Sequence, residues 1–178
     1  MNKIYAEIGQ DHQRNTTIFN DVLHALDNGR SPIILTERLE HLDLLKEKFS
    51  GFVKNIVVLS GSMKKKEREV ALKYLKEISD EEERLIIATG KYIGEGFDDA
   101  RLDTLFLSMP ISWKGTLQQY VGRLHRIHVA KQEVQVYDYI DQLVPELKSM
   151  FDNRLKGYKS MGYVIAGQKN ASEQMRLF

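Results

Sequence analysis

The feature that most constrains this chain is an alternation: five short apolar runs are separated by segments with helical periodicity. The runs are Pro32–Thr36, Asn55–Leu59, Arg84–Ala88, Thr104–Ser108 and Glu133–Tyr139. The first four are nearly continuous in leucine and β-branched residues, which predicts strands covered on both faces; the fifth alternates, which predicts an edge. Between them, Leu39, Leu42, Leu45 and Phe49 share one helical face, and Val70, Leu72, Tyr74, Leu75 and Ile78 support a second helix. Leu143, Leu147, Met150 and Phe151 predict another near the end of the chain. Strands and helices alternating at this spacing dictate right-handed crossovers and a mainly parallel sheet, an α/β fold of three layers, α/β/α. The 178 residues suit one domain with a substantial core. That domain is expected over residues 1–166, with 1–30 a leading segment and helix ending near Asp27; residues 167–178 read as a loosely held polar tail.

Charge and composition narrow the chemistry. Lys plus Arg is 26 and Asp plus Glu is 25, so any nucleic-acid binding must use a local surface rather than bulk charge. There is no cysteine, which excludes disulfides and Cys-based zinc sites and suits a cytoplasmic chain. No apolar run approaches the roughly 18 residues needed to span a membrane, and the polar start does not resemble a signal peptide. The histidines show no metal-ligand spacing, so no metal site is expected.

Ligands of parallel sheets bind where loops leave the carboxyl ends of strands. The third run leads into Ala88–Asp99, where Gly90, Gly94 and Gly96 permit close backbone approach to a ligand. Thr89 offers a hydroxyl suited to a phosphate oxygen, and ionised Asp98 is a pure acceptor that can accept a hydrogen bond from a ribose hydroxyl. A flexible glycine loop with a turn aspartate accounts for these residues equally well. After Met109-Pro110 comes a helix containing Gln118–Arg126, with Arg123 and Arg126 three apart on neighbouring helical positions. Thr116 and Gln119 form a T-x-x-Q capping box at its start. Taken alone, the arginines read as a solvated helix end.

Together the two segments carry more. ATGKYIGEGFD followed by QQYVGRLHR resembles motifs V and VI of superfamily 2 (DEAD/DEAH-like) helicases, and Ile33–Arg38 looks like their motif IV. The resemblance spans residues 30–140 and implies the C-terminal (second) RecA-like domain, a P-loop NTPase fold lacking its own P-loop. It implies arginine fingers at Arg123 and Arg126, ATP contacts at Gly96, Asp98 and Gln119, and a place in the cleft for Glu95. It implies nucleic-acid contacts at Thr36, Ser60, Gly61, Thr89, Gly90 and Lys91. A guanidinium closing on the γ-phosphate can contribute about 10³–10⁵ in rate, and its planar fork does this better than an ammonium.

No G-x-x-x-x-G-K-S/T phosphate loop occurs. ATP and Mg²⁺ are therefore expected to be held mainly by an N-terminal RecA-like domain in the same or a partner chain. Nucleic acid, DNA ahead of RNA, is the expected track, and this domain alone is expected to be inactive. The alternative is a helicase-like binding module without turnover. An unrelated Rossmann-like enzyme would need a glycine-rich turn after the first strand, where Thr36-Glu37-Arg38 stands. Lys64–Lys66 reads as a solvated face, and Trp113 as a packing residue ahead of a base-stacking one.

Overall fold

A computed structural model describes residues 1–90, 97–113, 115–126, 128–129, 131–169 and 174–177. Two helices lead, α1 (Asn2–Gln10) and α2 (His12–Asp27). They break at Asp11, whose carboxylate caps α2 by accepting from the Arg14 amide at 2.9 Å. Gly29, at φ 70°, turns the chain after α2 into β1 (Pro32–Thr36). There follow α3 (Leu39–Phe49), β2 (Ile56–Leu59), α4 (Lys65–Glu77), β3 (Leu85–Thr89), β4 (Thr104–Leu107), α5 (Thr116–Leu124) and β5 (Gln135–Tyr139). The C-terminal part is α6 (Pro145–Ser160), β6 (Ile165–Lys169) and β7 (Gln174–Leu177).

The sheet runs β2-β3-β1-β4-β5-β7-β6, its first five strands parallel. Alternating side chains feed two cores, as the period of a strand requires. Ile33, Leu35, Ile86 and Leu105 face α4, α5 and Tyr158 of α6. Ile34, Ile87 and Phe106 face α2 and α3. The three-layer α/β/α architecture is therefore realised, with β1 as hub: Ile33 pairs with Ile86 on one side and Leu105 on the other.

Two expectations need correcting. The alternating run β5 is not an edge, because β7 pairs antiparallel with it, Tyr139 opposite Gln174. Its polar position, Asp138, is buried against Arg154 rather than solvated, so the alternation reports a buried ion pair. Within residues 167–178, expected as a loose tail, 167–169 end β6 and Gln174–Leu177 form β7. Pairing satisfies the backbone groups that β5 would otherwise leave open. Among the described residues no helix is long and apolar enough to cross a membrane.

Candidate nucleotide and nucleic-acid interface

At the carboxyl ends of β1, β2 and β3 the candidate residues form a stitched shelf. Thr36 is fully buried, its hydroxyl 2.9 Å from His41 Nδ1. His41 Nε2 lies 2.8 Å from Asn15 Oδ1, and Asn15 Nδ2 donates to the Gly9 carbonyl. Since the Asn15 amide nitrogen is spent on a carbonyl, Nε2 carries the proton and Nδ1 accepts from Thr36. Burial first, and then the charge of Arg14, push His41 down to about 4, so the ring is neutral.

The Gly61 amide donates to the Thr89 hydroxyl at 3.1 Å, tying the exit of β2 to that of β3. Ser60 Oγ pairs with Ser62 Oγ, and the Gly90 amide donates to the Thr36 carbonyl at 3.0 Å. A Cβ at Gly90 would lie 2.2 Å from a Glu37 carboxylate oxygen, so this close approach needs glycine unless Glu37 moves. Thr36, Ser60 and Thr89 thus turn their hydroxyls inward and fix the loops, while Gly61 is exposed. A cleft of about 520 Å³ adjoins the shelf, lined by Glu37, Arg38, Gly90, Pro110 and Tyr120.

The arginines occupy a different place. Helix α5 buries Leu117, Tyr120, Val121 and Leu124 against the sheet, the i, i+3, i+4, i+7 pattern of an amphipathic helix. Its opposite face exposes Gln119. Arg123, in the last turn, is half-buried and donates from Nη1 to the Phe97 carbonyl at 2.6 Å. The helix ends at Leu124, so Arg126 is not on it, contrary to the spacing argument; its amide closes a turn onto the Arg123 carbonyl. Arg126 Nη1 pairs with Asp98 Oδ2 at 2.7 Å, the two side chains 56% and 43% exposed. The capping box also fails: Gly115, at φ 71°, is the N-cap and Thr116 the first helical residue. Lys91, Glu95 and Gly96 lie outside the described residues.

This corner lies toward the amino ends of the strands. Asp99, next to Asp98, is ion-paired with Arg84, which immediately precedes β3, and Leu102 closes a turn onto Asp99. The shelf residues Thr89 and Gly90 stand at the other end of β3, roughly 15 Å of extended strand away. His125 beside the pair is held below its ordinary value by burial and then by Lys131. Among the described residues no cluster of acids, histidines or cysteines could hold a metal ion.

Sequence reasoning missed the groups that brace the loop between β4 and α5. Tyr5, Arg14 and Arg154 each donate to one of its carbonyls. They lie in polar stretches of α1, α2 and α6 with no local pattern to mark them. Trp113 packs edge-on against Tyr158 at 5.1 Å between ring centres, the packing role expected.

Residues 15–128, more than half of the chain, match the family described as helicase conserved C-terminal domain. The chain belongs to that family. As a superfamily 2 helicase C-terminal domain it carries every candidate residue, from Thr36 to Arg126, inside the matched span. Transcript termination protein A18 of fowlpox virus (strain NVSL) is 22% identical over 151 residues, covering 83% of this chain and 32% of that protein. The camelpox virus (strain CMS) protein of the same name is 25% identical over 173 residues, covering 95% and 34%. The helicase domain thus spans about a third of the length of these relatives. Among solved structures, T4 UvsW superposes with a TM-score of 0.68 at 15% identity, over 90% of this chain and 35% of that one. That likeness supports the RecA-like α/β fold.

Proposed function

We propose that this helicase domain is the C-terminal half of an ATP-dependent nucleic-acid motor, with DNA the favoured track. It works with an N-terminal RecA-like domain in the same or a partner chain. In this reading Arg123 and Arg126 are arginine fingers, and Asp98, Gln119 and Gly96 face the nucleotide. ATP, bound with Mg²⁺ mainly by the partner domain, supplies a phosphoryl group whose transfer spreads negative charge over its oxygens.

The observation that carries the proposal is the unequal holding of the two guanidiniums. Arg123 is half-buried and anchored on the Phe97 carbonyl, whereas Arg126 stands exposed with the Asp98 carboxylate. An exposed ion pair contributes about 0–1 kcal/mol. A finger on a transferring phosphoryl group contributes about 10³–10⁵ in rate, or roughly 4–7 kcal/mol. Giving up the carboxylate therefore costs Arg126 little beside what it can contribute to the transition state of phosphoryl transfer. It also frees Asp98 to accept from a ribose hydroxyl.

On the shelf, Gly61, Gly90 and Lys91 meet the phosphates of the strand, while the inward hydroxyls of Thr36, Ser60 and Thr89 hold those loops in place. Contacts of this type position a strand without reading its bases.

The chain alone is expected to show negligible ATP turnover, even with excess single-stranded DNA; robust turnover by the pure chain overturns the reading. Paired with its partner domain, Arg126→Ala should abolish turnover while ATP binding persists. Nucleic-acid binding without any turnover by the wild-type pair would instead favour a binding module.

A further inference from the structure

The loop from Ser108 to Gly115 sets where α5 starts, and so where Arg123 and Arg126 end up. Three of its carbonyls are gripped by side chains from three helices. Arg14 Nε donates to the Ser108 carbonyl at 2.9 Å, and the Tyr5 hydroxyl to the Pro110 carbonyl at 2.8 Å. Arg154 Nη1 donates to the Ile111 carbonyl at 2.9 Å.

The last grip is the most elaborate. Arg154 and Asp138 are each 1% exposed and joined by two bonds, Nε to Oδ2 at 2.7 Å and Nη2 to Oδ1 at 2.9 Å. The Tyr158 hydroxyl donates to the same carboxylate at 3.0 Å. A buried ion pair adds little net stability over a well-packed apolar substitute. What it adds here is direction: with Nε and Nη2 locked on Asp138 along one edge of the guanidinium, Nη1 is left aimed at the loop. An ammonium has no such fork. One turn further along α6, Trp113 lies over Gly157, where a Cβ would come within 2.0 Å of the indole Cε2. The face of α6 therefore holds the loop twice, by a carbonyl at Ile111 and by a ring at Trp113.

We infer that Arg154, locked by Asp138 and aided by the Gly157 slot for Trp113, is a positioning residue for the arginine pair. The inference rests on the finger reading proposed above. It assigns α6, remote in sequence from Arg123 and Arg126, the task of holding α5 at the height and rotation the fingers need. Displacements of about 1 Å at a catalytic group can cost on the order of 100-fold in rate, so small losses of grip should be visible.

Gly157→Ala and Arg154→Lys test it. Gly157→Ala displaces the indole and leaves both buried charges in place, so it serves even where Arg154→Lys does not fold. Hydrogen exchange on this chain needs no nucleotide. The variants should exchange about tenfold faster over residues 111–124, with β1, β2 and β3 unchanged. Paired with the partner domain, they should lose about 10- to 100-fold in turnover, with ATP affinity unchanged. Unaltered exchange, or an equal rise throughout the sheet, overturns the inference. So does wild-type turnover in Gly157→Ala where Arg126→Ala is inactive, and that result leaves the finger reading standing. Wild-type turnover in Arg126→Ala rejects the finger reading, and this inference with it.

Discussion

The shelf at the carboxyl ends of the strands and the arginine corner toward their amino ends are built on opposite principles. On the shelf every hydroxyl of the candidate set is engaged and turned inward, and the chain Thr36–His41–Asn15–Gly9 runs through buried side chains. At the corner one ion pair, Arg126 with Asp98, stands in solvent. A buried network is costly to disturb, because each orphaned group loses its partner without regaining water. An exposed pair is cheap to break. In the proposed function, the difference separates a surface that holds a strand in register from a group that exchanges partners during the reaction cycle.

Four measurements press on that contrast. The largest effect is expected at the corner: Arg126→Ala, paired with the partner domain, should lower turnover by about 10³-fold or more. Its thermal unfolding should stay within about 0.5 kcal/mol of wild type. A variant that lost both would show that the corner is structural after all.

The second effect belongs to the shelf and depends on pH. His41 titrates at about 4 in the folded protein against an ordinary 6.5, so between these values the unfolded chain binds the extra proton. Stability is therefore full above about pH 6.5, falls as the pH drops toward 4, and levels off below. The loss is on the order of 3 kcal/mol. Denaturant titrations of wild type and His41→Gln across this range should differ in slope; parallel curves would refute the buried neutral ring.

Third, Thr89→Val removes the acceptor for the Gly61 amide, which is near water, and should cost about 0.5–1.5 kcal/mol, measurable by urea unfolding. The smallest effect is at Asp98→Ala, less than about 1 kcal/mol in stability. A larger loss there would place Asp98 in the scaffold.

Much of this arrangement was legible in the sequence, and the reasons for the gaps are physical. Apolar runs such as Ile33–Leu35 and Ile86–Ala88 announce covered strands because both of their faces meet helices. The glycine segment and the arginine pair mark a candidate site because glycines cluster where β3 ends and two arginines stand close together around the end of α5. Asp138 misled, since a buried carboxylate and a solvated one look alike until Arg154 is brought beside it. The end of α5 was misplaced because spacing alone cannot tell a last helical turn from the turn after it. Arg14, Tyr5 and Arg154 act on carbonyls 94, 105 and 43 positions away, and no local pattern encodes partners at such separations.

The strand order has a consequence for how the chain is made. β1 and β2 are consecutive in sequence, yet β3 lies between them in the sheet. A nascent chain that has released Ile33–Leu35 and Ile56–Leu59 has no described strand to pair with either until Leu85–Thr89 emerges. At about 5–20 residues per second on the ribosome, that wait lasts several seconds. During it two apolar segments stand unpaired, the interval in which chaperones or neighbouring nascent chains can reach them. Arrival of β3 then closes both gaps in one step, and growth of the sheet from β2-β3-β1 toward β4 begins only there.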